Sequence, residues 1–556
     1  MTTKLTPTSD NAAAYDMLRE LADDFWAWRA ANQPVSYDDI PRMERPEDWS
    51  PDWSPEAIER RRRELDAFSE RHQLIESKQW PVSQQVDHRL IGSALARVNW
   101  ELNVTRSQEC NPGFYVDQTL GVLFLLLLKP PPFLEARSRE IVRALRSFNE
   151  TARQAQTNLA GHAIKPFAIA AIEKLVEVRK RLTTVSNELA PLLSGVTETE
   201  LHDATDDAVT ALERLHDWLN SQLPSMIENT AVGRDAYVNF LHQVALVPFT
   251  PEQLLVMGTH EWERSVAFEV CEQTRNQGLP ELKLFPDQAA QIEREAIEEE
   301  NARKFLEAKN ILTVPAWVKH YRNLPLAAYV QQLSFMGVAD DLTSATRLDE
   351  DGISYIKNPS PELDYFSLSI AKDPRPLIVH EGVPGHYLQM VLAWAHENPI
   401  RRQYYDSGAN EGIGFYAEEL MLQFGFFDDS PKVREIMYNF MRLRALRVEV
   451  DVKLALGLFT IDQAADYLEK IVPVDRATAR QEAVFFASSP GQAITYQVGK
   501  LQIVKFLAEA RLQLKQKFDL RAFHDYVWKN GNVPIALLRW EFLGLTDELA
   551  TLDSAG

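Results

Sequence analysis

Apolar residues recur at three- and four-residue intervals along most of this chain, with charged residues between them, and that spacing predicts amphipathic helices. The pattern is clearest over Ala57–Glu76, Ser138–Leu159, Ala168–Leu192 and Asp203–Leu223. It continues over Pro251–Gln277, Pro286–Asn310, Ser430–Leu458 and Ile461–Ile471. Start signals sharpen two of these: Thr250 precedes Pro251 and Glu252, and Thr460 precedes Ile461 and Asp462. Strand signals are few. The best, Glu362–Ile370 (ELDYFSLSI), predicts one strand, separated by the loop AKDPRP from the segment beginning at Leu377. Prolines break the pattern at Pro130–Pro132, Pro359–Pro361 and Pro374–Pro376. The expected fold is mainly α with a small β element. A helical N-terminal lobe (1–330) precedes a second lobe (331–556), within one continuous fold.

The greasiest run, Leu120–Leu128 (LGVLFLLLL), ends in Lys129 and three prolines; it is too short to span a bilayer and predicts a buried helix. The N-terminal stretch mixes polar and acidic residues, unlike a secretory signal, so a cytoplasmic location is expected. The net charge of −21, from 80 acidic and 59 basic residues, argues against nucleic-acid and anionic-membrane partners. Cys110 and Cys271 have no metal-site spacing and allow no disulfide framework; both are expected to be buried small hydrophobes.

Chemistry concentrates in Leu377–Met390, LIVHEGVPGHYLQM. A hydrolytic zinc site needs neutral imidazole ligands, a carboxylate beside the reacting water and an open position. His380 and His386 supply the imidazoles, but six residues on a regular helix set them about 120° apart, too divergent for one ion. The helix must therefore deform. Pro384 with Gly382 and Gly385 provides the means, and a bulge over Val383–Gly385 is expected. Glu381 is then placed as general base. The competing reading is two ordinary helix histidines beside a proline kink. His260–Glu261 has no second histidine nearby and reads as a decoy.

For a third ligand, Ser407–Leu420 (SGANEGIGFYAEEL) offers Glu411, 25 residues beyond His386. Glu418, seven residues on, shares its helical face and either orients a ligand or is a solvated carboxylate. Glu419 reads as surface. His396 is a weaker alternative ligand.

These segments resemble the bacterial family called domain of unknown function 885. HEGVPGH (His380–His386), EGIGFYAE (Glu411–Glu418) and PGQAITY (Pro490–Tyr496) stand in the family's order, and FWAWR (Phe25–Arg29) is similar to its N-terminal region. That family in turn resembles helical zinc peptidases such as angiotensin-converting enzyme and carboxypeptidase Taq. The resemblance implies a two-lobed, metallopeptidase-like fold with a deep cleft and one zinc ion. His380, His386 and Glu411 would be the ligands, and Glu381 the base. It also implies that Tyr496 stabilises an oxyanion, unless it is simply a buried aromatic, and that Gln492, like Glu418, lies near ligand or substrate. The chain departs from the family at Tyr387, Ile413 and Phe485, the last standing where an arginine is frequent. The expected activity is zinc-dependent hydrolysis of short peptides or chain ends, an extended substrate pairing with the Glu362–Ile370 strand. The rivals are a catalytically silent metal- or peptide-binding homologue and a zinc hydrolase of other amides or esters. No GxSxG elbow or nucleotide-binding loop is present.

Overall fold

The structure, a computed structural model, describes residues 9–36, 43–472 and 474–553. Helices dominate it, and most lie where the periodicity puts them: Pro55–Gln73, Glu135–Leu159, Glu198–Gln222, Pro251–Arg275, Gln288–Ala308, Pro431–Ala455 and Ile461–Ile471. Both threonine starts are full capping boxes. The Thr250 hydroxyl takes the Gln253 N–H while the Gln253 side chain takes that of Thr250, and Thr460 with Gln463 repeats the exchange.

One predicted helix is two. Ala168–Leu192 divides into Lys165–Leu175 and Val178–Leu189, because Glu177 adopts a left-handed conformation (φ 60°). The apolar positions 171, 175, 178, 182, 185 and 189 keep helical spacing straight through the break, so periodicity carried no sign of it.

The expected strand is also overturned. Asp364 caps a short helix, Tyr365–Ile370, by accepting from the Ser367 N–H at 2.9 Å. The alternating pattern was a turn of helix beginning at a strong N-cap residue. The strands are β1 (Tyr321–Pro325), β2 (Asp340–Asp341) and β3 (Gly352–Ile356), in spatial order β1-β3-β2. β1 pairs with β3 in parallel and β2 with β3 antiparallel. The Tyr321–Gly352 rung abuts the histidine segment, with the Tyr321 ring against Gly382 and the Tyr387 ring against Gly352.

The largest core joins N-terminal residues (Leu18, Phe25, Leu90) to Val379, Leu388 and Phe415 of the histidine and carboxylate segments, and to Phe506 and Trp528. A second packs Phe124, Phe148 and Leu212 with Tyr329 and Met336. Two more flank Pro431–Ala455: Leu443, Leu446 and Val450 enter one, Val448 and Val452 the other. That helix is buried on nearly every side, which frees its remaining polar residues for interior work.

Among the described residues no single helix is long and apolar enough to cross a membrane. Leu120–Leu128 forms a wide turn and then a helix, Val122–Leu128, with most of its side chains buried. The cysteines depart from expectation: Cys271 is exposed and Cys110 half-buried, and both are free thiols. Cys271 sits on the outward side of the Pro251–Arg275 helix, where an apolar side chain is tolerated singly.

Candidate metal centre

The two histidines meet because one helix ends and another begins between them. A wide helical turn covers Ile378–Gly382, Val383 is extended (φ −126°, ψ 120°), the Val383–Pro384 peptide is cis, and a new helix starts at His386. The break falls where a bulge was expected but is complete. Trp528 pins it by donating its indole N–H to the Pro384 carbonyl at 2.6 Å. Gly385 lies so close to the preceding turn that any Cβ would run into the His380 carbonyl. The imidazoles end with ring centroids 4.7 Å apart and planes at 77°.

Glu411 reaches them from the Ser407–Gln423 helix. Its Oε2 lies 3.5 Å from His380 Nε2 and 3.4 Å from His386 Nε2. In a tetrahedral site with bonds of about 2.0–2.1 Å, neighbouring ligand atoms stand about 3.3–3.4 Å apart. The observed separations match that edge. Glu411 Oε2 is also buried and accepts no hydrogen bond among the described residues, an arrangement a cation would satisfy. Glu381 offers a further oxygen within 4.8 Å of both histidine nitrogens, and its Oε2 is likewise buried and without a donor. Gly414, one turn beyond Glu411, lies beneath both rings: a Cβ there would stand 2.9 Å from His386 Cε1 and 3.1 Å from His380 Cε1.

The opposite edge of His380 is held by Glu418, which is fully buried rather than solvated. Its Oε1 lies 2.7 Å from His380 Nδ1 and 2.8 Å from Arg444 Nη2, and Arg444 Nη1 donates to the other oxygen at 3.2 Å. A carboxylate at Nδ1 holds a proton there, so Nε2, the nitrogen facing Glu411, is the one that becomes a lone-pair donor when the ring is neutral. Burial and Arg444 disfavour charge on His380, yet Glu411 and Glu418 outweigh them and push it up to about 9. Burial would raise the Glu411 carboxyl, but the His386 and His380 imidazoles outweigh it and hold the group well below the usual range.

The family described as "Bacterial protein of unknown function (DUF885)" matches residues 39–541. The chain belongs to the DUF885 family. Solved structures that share its fold include two of low sequence identity. One, described as a "putative lipoprotein of unknown function" from Shewanella oneidensis, covers 95% of this chain and 98% of its own at 16% identity, with a TM-score of 0.66. The other, a "putative lipoprotein" from Colwellia psychrerythraea, covers 98% and 100% at 17% identity, with a TM-score of 0.72. No curated protein matches the chain.

In this DUF885 chain the remaining candidates divide. Tyr496 is with the cluster, its ring parallel to His380 (13°) at 6.2 Å and the Arg447 guanidinium 4.8 Å from its centroid. Gln492 donates to Ser407 Oγ at 2.8 Å, one turn before Glu411. His396 lies elsewhere, accepting from the Asn398 N–H at 3.0 Å. His260 is exposed, but its neighbour Glu261 takes Lys500 at 2.8 Å. Glu419 is not a surface residue: it pairs with Arg264 and, at 2.9 Å, with fully buried Lys500, because the Thr495–Leu514 helix covers it. That cover is close, since Gly412 and Gly499 leave no space for a Cβ between the two helices.

Three residues that periodicity alone did not single out organise the centre from one helix, Pro431–Ala455. Arg444 braces Glu418, Arg447 faces Tyr496 and pairs with Glu482, and Asp451 ties down the loop that leads to Tyr496. Asp451 accepts from the N–H groups of Gly491 at 2.9 Å and Ala493 at 2.7 Å and from the Tyr237 hydroxyl at 2.9 Å. Residue type did not set them apart, because the same helix also carries Arg434, Glu435, Arg442, Glu449 and Lys453; burial of their side chains does.

Proposed function

We propose that this protein is a zinc-dependent hydrolase, acting on short peptides or chain ends, with His380, His386 and Glu411 as ligands. The observation that carries the reading is the 3.4–3.5 Å spacing of two imidazole nitrogens about a buried Glu411 oxygen that has no other partner among the described residues. A zinc ion held there supplies Lewis acidity, polarising a carbonyl and acidifying water. Glu381, next in sequence to His380, accepts the proton of the attacking water and passes it to the leaving amine. The Tyr496 hydroxyl donates to the substrate oxygen as it gains charge. Glu418 and Arg444 hold His380 in the tautomer that can ligate. The likeness of the HEGVPGH and EGIGFYAE segments to helical zinc peptidases supports the same assignment, with a two-lobed cleft between helices. Strand addition at Glu362–Ile370 drops out, because that segment is helical.

The decisive experiment measures zinc content and peptide hydrolysis together. Bound zinc with turnover that Glu381→Gln abolishes is the expected result. Absence of zinc from purified protein, and on titration, overturns the assignment. Zinc without turnover on peptides, amides or esters leaves a silent metal-binding homologue, the reading favoured by Phe485 where the resembled family often carries arginine. The cytoplasmic location expected from the sequence stands against the lipoprotein descriptions of both structural neighbours, which favour the cell envelope; fractionation separates the two.

A further inference from the structure

Beside the metal centre lies a cavity of about 300 Å³, at the small end of the range for ligand sites. Ser407 and Gln492 form part of its wall. Ser407 opens the helix that carries Glu411, and Gln492 lies in the loop leading to Tyr496, so the cavity opens one helical turn from Glu411. The rest of the wall is unusually aromatic: Trp26, Trp28, Trp53, Trp100, Phe240 and Phe485 all contribute. Its cations are already committed. Arg29 Nη2 is 2.6 Å from Glu101, and Arg97 Nη2 is 3.5 Å from Asp406. Arg61 lies over the Trp53 ring at 4.2 Å and donates to Asn32 and to the Asp52 carbonyl.

Among the indoles of this wall one stands apart. The indole N–H groups of Trp28 and Trp53 donate to Glu64 and Gln118. That of Trp26 is buried and donates to nothing among the described residues. A buried donor of this kind calls for an acceptor such as a peptide carbonyl.

From this we infer that the cavity is a subsite for a large aromatic or aliphatic side chain of the peptide, flanking the bond to be cleaved, with the Trp26 N–H taking a backbone carbonyl of the same chain. An acidic side chain would find every nearby cation engaged, and would have to be desolvated without a partner. A basic one would compete with Arg61 for the Trp53 face and meet Glu101 and Asp406 already paired and Asp117, the other carboxylate of the wall, already engaged. Apolar rings and branched chains meet no such cost, and stack on the wall. The inference deepens the peptidase reading and rests on it for the identity of the ligand as a peptide.

The test uses full-length Glu381→Gln protein loaded with zinc, and equilibrium binding followed by tryptophan fluorescence, since four indoles line the cavity. The probes are hexapeptides identical except for one central residue: Phe, Leu, Glu or Lys. Phe and Leu peptides are expected to bind about tenfold or more tighter than Glu and Lys peptides. Phe485→Glu should erase that preference, and Trp26→Phe, which keeps the ring and deletes the N–H, should weaken all four peptides alike by about tenfold. Equal affinities, or tightest binding of the Lys peptide, overturn the inference. So does an apolar preference that survives Phe485→Glu. Because no turnover is read, a wild-type protein that hydrolyses nothing refutes the hydrolase while leaving the measured side-chain preference in force.

Discussion

At the scale of single residues, the centre depends on groups that do different jobs from one spot. Glu381 is the one whose loss should separate binding from chemistry: Glu381→Gln retains zinc by elemental analysis while hydrolysis falls by about 10²–10⁴-fold, the usual contribution of a positioned base. A smaller loss removes Glu381 from the mechanism. Glu418 tests the opposite property. Replacing it by Gln leaves Arg444 buried without its counter-charge and frees the His380 ring, so zinc affinity should drop by about 10–100-fold in a competition assay with a chromophoric chelator. Unchanged affinity would mean that His380 needs no orienting carboxylate. Gly414 permits a purely steric version. An alanine methyl must push one imidazole by a few tenths of an ångström, so Gly414→Ala should keep the helical circular-dichroism signal yet bind zinc more weakly than wild type. That His380, His386 and Glu411 would cluster was legible from residue type and order. The roles of Arg444 and of half-buried Glu419 were not, because both follow from which helix covers which.

At the scale of elements, local rules served helices well and the short strand badly. Thr250 and Thr460 announced their helices because capping chemistry is confined to four consecutive residues. Tyr365–Ile370 misled because six residues, with Tyr, Phe and Ile among them, satisfy either period, and Asp364 decided for helix. The Pro431–Ala455 helix matters most for the proposed centre, as the rod from which Arg444, Arg447 and Asp451 reach inward. Asp451→Asn swaps a carboxylate oxygen for an amide donor facing the N–H groups of Gly491 and Ala493. We expect the loop before Tyr496 to loosen, kcat to fall with zinc content unchanged, and stability to drop by about 1–3 kcal/mol in urea unfolding. A parallel loss of zinc would show that the helix supports the ligands directly.

At the scale of the whole molecule, burial of neutral histidine sets an acid limit. His524 lies in the main core, its Nδ1 2.8 Å from the Ile311 carbonyl and its Nε2 2.9 Å from the Tyr416 hydroxyl, and burial lowers it from 6.5 to about 4. The unfolded chain therefore binds a proton that the folded chain refuses between those values. Stability should be full above about pH 6.5 and decline as the pH falls toward 4, by up to about 3 kcal/mol from this residue. Thermal melts across that window should show the slope, and His524→Gln should flatten it. A melting temperature independent of pH there would mean the ring is already charged in the native state.

The sequence by itself determined that the chain is helical, where most helices start, which two histidines could share an ion only if the helix between them failed, and which carboxylates stood near enough in order to join them. Those are properties of neighbours along the chain: periodicity, capping and the geometry of proline and glycine act over a few residues. Only the tertiary structure decided that the failure is a full break pinned by Trp528, that Glu418 is locked between His380 and Arg444, and that an aromatic cavity opens one turn from Glu411. Each of these joins residues tens to hundreds of positions apart. Their proximity comes from how whole helices bury their faces, a choice that no local pattern encodes.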